Sequence, residues 1–133
     1  MRSSVTGTIR RRILLLDDSA IALELTQATL EGRGHEVETA GSLAEFRRKL
    51  GAFRPDLVLT DLEMPDTTGG DVVRELKRDL GTERIPVVIF SSRPDAELAR
   101  IAAHSGADGH VSKGEGLERM ARQVDELIGS ILW

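Results

Sequence analysis

The sequence contains no cysteine, and only 3% of its residues are aromatic. The absence of cysteine excludes disulfide bridges and thiolate metal sites, and it leaves the redox compartment open. The scarcity of aromatic side chains argues against a surface on which nucleic-acid bases would stack. The longest uninterrupted apolar runs, among them Ile13–Leu16 and Val87–Phe90, are four residues long. Such runs are far too short to span a membrane.

The bulk properties are those of a globular chain. With 133 residues, 40% of them hydrophobic and 30% charged, the sequence is long enough for one domain with a substantial core. Its formal net charge of -4 argues against direct binding to nucleic acid. Arg10–Arg12 leads through four apolar residues to two aspartates, which is not the pattern of a signal peptide, so we expect a cytoplasmic protein. Residues 1–10 are predicted to be a flexible tail, and residues 11–133 the domain.

Strand and helix signals alternate along the chain. The predicted strands are Ile13–Leu16, His35–Ala40, Leu57–Leu59, Ile85–Phe90 and Gly109–Ser112. Apolar residues at helical spacing follow each of them: Ile21, Leu25 and Ala28; Leu43, Phe46 and Leu50; Val73, Leu76 and Leu80; Leu98, Ile101 and Ala102; and Leu117, Met120, Val124, Leu127 and Ile131. The pattern predicts an α/β fold in which five parallel strands form a doubly wound sheet, with helices on both faces. Pattern alone leaves the strand order open.

Local signals mark where these helices begin and end. Ser19 is predicted to cap the first helix, and Ser42 with Glu45 has the spacing of a capping box at the second. Gly51 is predicted to stop the second helix and Gly81 to close the third.

Polar side chains follow four of the predicted strands at the point where each strand ends. Asp17 and Asp18 follow the first strand, Asp61 the third, Ser91 the fourth and Lys113 the fifth. Taken singly, each of them could be an ordinary turn, cap or surface residue. Because the carboxyl ends of parallel strands share one edge, where ligands of open α/β sheets bind, we expect them to lie close together.

A cluster of this composition suits phosphoryl transfer. Carboxylates held together repel and raise one another's pKa unless a cation lies among them, and oxygen ligands favour Mg²⁺ or Mn²⁺. A carboxylate beside a divalent cation and an ammonium group is a good nucleophile toward phosphorus. The product would be a labile acyl phosphate that carries about two negative charges, which suits a signal.

These residues occur in motifs that resemble the receiver domain of two-component response regulators, and in particular a stand-alone receiver of the chemotaxis-regulator type. The matching segments, spread over residues 11–131, are Leu14–Ser19, Asp61–Pro65 with Gly69, Val88–Ser92 and Gly106–Lys113. The resemblance implies a flavodoxin-like strand order, 2-1-3-4-5, for which a chemotaxis receiver is a standard example. It also implies a signalling phosphoacceptor rather than an enzyme, with at most self-phosphorylation from small donors and slow self-dephosphorylation.

The resemblance also implies a role for each site residue. Asp61 would be the phosphoacceptor, and Lys113 would pair with the phosphoryl group. Asp18 would bind Mg²⁺ directly, Asp17 largely through water, and Glu63 through its backbone carbonyl. The donor would be a phosphohistidine on a sensor histidine kinase or phosphotransfer protein.

The resemblance further implies how the signal would leave the domain. Ser91 would swing toward the phosphoryl group and alter the surface of the fourth helix, fifth strand and fifth helix. A downstream effector protein or output domain would recognise that surface, through which a homodimer could also form.

Two positions depart from the family pattern. Gly114 follows the lysine where proline is usual, which loosens the loop before the last helix. His110 replaces the usual Tyr or Phe of the fifth strand. One hypothesis is that His110 is a half-exposed strand residue without a switching role. The other is that His110 responds to the position of Ser91 and makes the switch depend on pH, because the unperturbed pKa of histidine is about 6.5. Comparing the output surface at two pH values in a His110→Phe variant separates these two hypotheses.

Two rival functions would use the same residues. A Mg²⁺-dependent phosphatase of the haloacid-dehalogenase kind would use Asp61 as nucleophile and Glu63 as general acid and base. The chain lacks a cap domain, however, and its acidic pair lies on the first strand. A pseudo-receiver would bind partners without being phosphorylated, an alternative that His110 and Gly114 keep open.

Overall fold

The computed structural model describes residues 10–132, so nearly all of the predicted tail lies outside the described residues. The strands are β1 (Arg12–Leu16), β2 (Glu36–Ala40), β3 (Leu57–Asp61), β4 (Val87–Ser91) and β5 (Gly109–Ser112). The helices are α1 (Ala20–Glu31), α2 (Leu43–Phe53), α3 (Gly69–Arg78), α4 (Asp95–Ser105) and α5 (Leu117–Ile131). Within residues 10–132, every helix is too short or too polar to cross a membrane.

The strands form one parallel sheet in the order β2-β1-β3-β4-β5. The predicted fold class and strand order are therefore confirmed. The register aligns the last residues of neighbouring strands, with Asp61 opposite Phe90 and Ser91 opposite Ser112. The carboxyl ends of β1, β3, β4 and β5 thus lie along one edge of the sheet.

Each face of the sheet has its own core, because successive side chains of a strand point to opposite faces. Ile13 and Leu15 of β1 pack toward α1 and α5, whereas Leu14 and Leu16 pack toward α2 and α3. Ile89 of β4 packs with α4. The central strands are buried on both faces, which explains why they consist almost entirely of apolar residues.

The inward face of α1 differs from the prediction. Ile21 is 72% exposed and Leu25 is 50% exposed, whereas Thr26 and Leu30 are buried and Leu23 packs against the core. Apolar residues occur all around this helix, so its sequence offered two possible inward stripes. Packing against β2 and α5 selected the stripe that contains Thr26 and Leu30.

The ends of two helices also differ from the prediction. Gly51 does not stop α2, which continues to Phe53 and ends where Arg54 adopts the left-handed conformation. Helix α3 ends at Arg78, well before Gly81, so Leu80 falls in a turn and is 88% exposed. In neither case does the glycine end the helix, since the capping residues are Arg54 and Asp79, whose amides donate to the carbonyls of Leu50 and Leu76. Leu117, expected inward, is 37% exposed at the start of α5.

The predicted helix caps are present. Ser19 Oγ accepts a hydrogen bond from the amide of Ala22, and Ser42 Oγ accepts one from the amide of Glu45. The reciprocal half of the capping box is displaced by one residue, since Glu45 Oε1 accepts from the amide of Gly41. That backbone hydrogen bond lowers the pKa of Glu45.

Candidate functional site

The two aspartates after β1 differ in their exposure. Asp17 is buried and Asp18 is exposed. Asp17 Oδ1 accepts a hydrogen bond from the amide of Ser19 at 3.0 Å, which holds the turn that leads into α1. The buried carboxylate of Asp17 is therefore fixed by the backbone, whereas that of Asp18 faces solvent at the edge of the sheet.

The side chain of Lys113 reaches both strand-end carboxylates. Its Nζ lies 3.1 Å from Asp17 Oδ2 and 3.9 Å from Asp61 Oδ1. It also lies 4.4 Å from the centre of the Phe90 ring, a cation–π distance. Residues from β3, β4 and the segment after β1 thus contact one ammonium group.

Three carboxylates converge beside this lysine. Carboxylate oxygens of Asp17, Asp18 and Asp61 all lie within 4.8 Å of one another. Burial raises the pKa of Asp61, and the charges of Asp17 and Asp18 raise it further, against the opposing effects of Lys113 and the Leu62 amide. Lys113 alone does not offset the negative charge of this acidic cluster.

The donor set of the acidic cluster fits a hard divalent cation. Three closely spaced carboxylates offer only oxygen ligands, which Mg²⁺ and Mn²⁺ prefer. Burial, the main cause of the raised pKa of Asp61, disfavours its ionised form, and a bound cation would oppose that effect.

Ser91 occupies the last position of β4 and is buried. Its Oγ accepts a hydrogen bond from the amide of Arg93 at 3.2 Å, and its carbonyl accepts one from the amide of Lys113 at 2.7 Å. The backbone therefore holds Ser91 and Lys113 side by side at the edge of the sheet.

Glu63 lies in the β3–α3 loop, and its carboxylate forms an ion pair with Arg93. Arg93 also contacts Glu97 Oε1 of α4 at 2.7 Å. Because the Glu63 side chain is engaged with Arg93, its predicted role as a ligand rests on its backbone carbonyl alone. Arg93 was not predicted from the sequence, although its spacing from Glu97 is that of a helical ion pair.

His110 makes a contact that the sequence did not predict. Its Nε2 lies 3.1 Å from Asp95 Oδ1 at the start of α4. Within residues 10–132 its ring forms no hydrogen bond to Ser91, so a pH-dependent role for His110 stays a prediction. Gly114, the other departure, forms a hydrogen bond from its amide to Ser112 Oγ.

Gly69 is required by the backbone of the phosphoacceptor candidate. A Cβ at Gly69 would lie 3.0 Å from the carbonyl oxygen of Asp61 and 3.4 Å from Leu62 Cα. The Gly69 amide also donates to the carbonyl of Leu62 at 2.8 Å. The start of α3 thus packs directly against the end of β3, which explains a glycine at this position.

The geometry of this site agrees with the result of comparing the chain with known protein families. The family model of the response regulator receiver domain matches residues 13–125. The chain belongs to this family. It is a receiver domain of two-component systems, a signalling module rather than a classical enzyme, and the predicted resemblance is confirmed.

Curated relatives of this receiver domain are longer proteins. It is 40% identical over 119 residues to a gliding motility regulatory protein of Myxococcus xanthus, covering 89% of this chain and 15% of the relative. It is 35% identical over 106 residues to the DNA-binding response regulator MtrA of Mycobacterium tuberculosis, covering 80% of this chain and 45% of MtrA. The receiver domain therefore spans less than half the length of these relatives.

Solved structures share its fold. A response regulator receiver domain protein from Clostridium thermocellum is 30% identical, with a TM-score of 0.75 over 90% of this chain and 94% of that one. The chemotaxis response regulator CheY4 of Vibrio cholerae has a TM-score of 0.79 over 90% and 99% of the two chains. At 24% identity, the second comparison supports the fold alone.

Proposed function

We propose that Asp61 of this receiver domain accepts a phosphoryl group from a phosphohistidine on a sensor histidine kinase or phosphotransfer protein. The observation that carries the proposal is the acidic cluster of Asp17, Asp18 and Asp61 with Lys113 beside it. Asp61 is the member of the cluster that forms the last residue of a central strand. The proposal assigns the domain to the cytoplasm, where a kinase would meet it.

The cation would be Mg²⁺ or Mn²⁺, held by Asp18, Asp61 and the Glu63 backbone carbonyl, with Asp17 acting mainly through water. Asp17 would act through water because its oxygens already accept hydrogen bonds from the Ser19 amide and Lys113. When bound, the ion supplies positive charge that offsets the charge on the phosphoryl oxygens.

The chain's own residues account for the rest of the transfer. An Asp61 carboxylate oxygen attacks phosphorus, the phosphorus–nitrogen bond of the phosphohistidine breaks, and the departing imidazole keeps its electron pair and takes up a proton. Lys113 stabilises negative charge on the phosphoryl oxygens, and the Ser91 hydroxyl donates a hydrogen bond to one of them. Hydrolysis later returns the Asp61 carboxylate and inorganic phosphate.

A partner would recognise the phosphorylated state through a surface formed by α4, β5 and α5. Movement of Ser91 toward the phosphoryl group would bias a two-state equilibrium at this surface. His110 and Asp95 join β5 to α4 there, so they lie in the path of such a change. A downstream effector, an output domain or a second copy of the domain would bind this surface.

The experiment is incubation with Mg²⁺ and acetyl phosphate, followed by intact-mass measurement. We expect the wild type to gain one phosphoryl group and Asp61→Asn to gain none. Asp66→Asn, which changes an exposed aspartate in the next loop, is the matched control and should be modified like the wild type. Modification of Asp61→Asn would refute the assignment, and an unmodified wild type would favour a pseudo-receiver.

A further inference from the structure

The aromatic ring of Phe90 lies beneath the ammonium group of Lys113. The distance from Lys113 Nζ to the centre of the ring is 4.4 Å, which is within the range of a cation–π interaction. Phe90 is buried, and it is aligned with Asp61 in the register of β3 and β4. The ring is therefore a packed part of the core at the edge of the sheet that carries the acidic cluster.

The position of this ring follows from the alternation of side chains along the strands. Phe90 belongs to the core that the sheet forms with α1 and α5, as do Leu15 and Val111. Asp17 and Lys113 come two residues after Leu15 and Val111, so their side chains start on the same face of the sheet. Phe90 thus supplies the apolar floor over which Asp17 and Lys113 meet.

The lysine side chain needs contacts that hold it in place, because a fixed ammonium group costs a long side chain much of its rotamer freedom. Within the part of the chain that the structure describes, Lys113 Nζ makes one hydrogen bond, to Asp17 Oδ2 at 3.1 Å. Asp61 Oδ1 lies 3.9 Å away, beyond hydrogen-bond distance. A single hydrogen bond would let the ammonium turn about Asp17, and the Phe90 ring restricts that movement because it attracts the ammonium from the side of the core.

The ring attracts the ammonium group without neutralising it. A phenyl face acts through its quadrupole and carries no net charge, unlike a further carboxylate. The charge of Lys113, and the N–H groups that Asp17 does not use, thus stay available for the oxygens of a phosphoryl group on Asp61. An aliphatic side chain would fill the same space without this attraction.

We propose that Phe90 is a positioning residue for phosphoryl transfer, whose ring holds the Lys113 ammonium within reach of both Asp17 and Asp61. Phe90 acts through Lys113 and takes no part in the bonds that form and break. Its role in transfer rests on the proposed function, whereas its effect on the position of Lys113 requires no phosphoryl group.

The chain offers a matched control for this proposal. The guanidinium of Arg12 lies 4.3 Å from the centre of the Phe53 ring, and Phe53 is also buried. Arg12 begins β1, so this second pair lies at the end of the sheet opposite the acidic cluster. Phe90→Leu and Phe53→Leu therefore remove the same kind of contact at the two ends of the sheet.

NMR spectroscopy of the domain without a phosphoryl donor tests the position of Lys113. The ring current of Phe90 should shift the Lys113 Cε protons upfield in the wild type. Phe90→Leu should abolish that shift and increase the ps–ns motion of the Lys113 Cε group, whereas Phe53→Leu should change neither. Unchanged Lys113 resonances and motion in Phe90→Leu would overturn the proposal.

The rate of labelling by acetyl phosphate with Mg²⁺ tests the role in transfer. Phe90→Leu should be labelled about fivefold more slowly, whereas Phe53→Leu should stay within about twofold of the wild type. Phe90→Tyr, which keeps an aromatic face, should recover most of the rate. Circular dichroism at the assay temperature establishes that each variant is folded. If Phe90→Leu unfolds, Phe90→Met fills the space with another aliphatic side chain and should show the same loss.

Two results of the labelling experiment would overturn the proposal. One is equal slowing in Phe90→Leu and Phe53→Leu, which would indicate a general effect of a lost core ring. The other is a wild-type rate in Phe90→Leu despite a mobile Lys113. A wild type that is not labelled at all would refute the proposed function instead, and the NMR comparison would still decide whether Phe90 positions Lys113.

Discussion

Lys113 and Asp17 form an ion pair although they are 96 positions apart in the sequence. The distance between Lys113 Nζ and Asp17 Oδ2 is 3.1 Å. The Asp17 carboxylate is almost fully buried, whereas the lysine side chain keeps 23% of its surface exposed. The same ammonium group lies 3.9 Å from Asp61 Oδ1. Lys113 therefore contributes to the fold as well as to the site, because it compensates a buried charge.

Substitution Lys113→Gln should destabilise the domain by about 2 kcal/mol in the absence of Mg²⁺, because Asp17 would stay buried without its charged partner. Urea unfolding with a chelator present measures the change. Arg47→Gln is the control, since its pair with Glu75 is exposed and should matter little. Equal effects of the two substitutions would contradict a structural role for Lys113.

Substitution Asp61→Asn should stabilise the metal-free domain at neutral pH by about 1 kcal/mol. Burial and the neighbouring carboxylates raise the pKa of Asp61, so the folded state holds its proton to a higher pH than the unfolded state. Stability is therefore lost as pH rises through the interval between the unfolded and folded pKa values. The advantage of the variant should vanish below the unfolded pKa of about 3.9. Thermal unfolding at neutral and acid pH tests this, and a pH-independent difference would contradict it.

Mg²⁺ should stabilise the folded domain by about 2.7 kcal/mol at a concentration of about 100 times its Kd. Asp18→Asn should reduce that gain, because it removes one carboxylate from the acidic cluster. Glu126→Gln, an exposed acid on α5, is the control with the same loss of charge. Thermal denaturation over a Mg²⁺ titration measures both, and an equal gain in the two variants would argue against a site at Asp18.

Two glycine substitutions should have opposite effects. Gly69→Ala should destabilise the domain by about 2 kcal/mol, because its Cβ would press on the Asp61 carbonyl, which cannot move without shifting β3. Gly51→Ala should stabilise it by about 0.5–1 kcal/mol, because Gly51 lies inside α2 with open space around its Cβ position. Denaturant unfolding compares them. An unchanged free energy of unfolding in Gly69→Ala would show that the end of β3 can shift to accommodate the added methyl group.

The opposite end of the sheet holds a buried polar network that should affect stability without affecting phosphorylation. His35 Nδ1 accepts from the Arg11 amide at 3.1 Å, so Nε2 carries the hydrogen and donates to Asp125 Oδ1 at 2.7 Å. Asp125 also pairs with Arg33.

Asp125→Ala should therefore cost about 2 kcal/mol, because the His35 ring would stay buried without an acceptor. Acetyl phosphate labelling of the variant should match the wild type. His104→Ala, at an exposed position, controls for loss of a polar side chain. Impaired labelling in folded Asp125→Ala would contradict the prediction that this network affects stability but not phosphorylation at the other end of the sheet.

Much of the fold could be predicted because the central strands are buried on both faces. In a chain of this length, short apolar runs such as Ile13–Leu16 and Val87–Phe90 are typical of strands covered by helices on each side. The strand-end residues Asp17, Asp61 and Lys113 were found for a related reason, since parallel strands bring their carboxyl ends to one edge. The strand order itself came from the resemblance to a family, not from the pattern.

One prediction that failed concerns a helix whose apolar residues are spread around its axis. In α1 the sequence permits a stripe through Ile21 and Leu25 as well as one through Thr26 and Leu30, and only contacts with β2 and α5 select the second. The role of Arg93 could not be predicted in full either, because its contact with Glu63 depends on how the β3–α3 loop meets α4.

The sequence by itself determined the alternation of strands and helices and the polar residue at the end of each central strand, since burial and backbone chirality leave few alternatives. The tertiary structure alone decided the distances within the acidic cluster and the contact of His110 with Asp95. Such features join residues that are distant in sequence. Their geometry depends on how helices pack on the sheet, which local patterns do not specify.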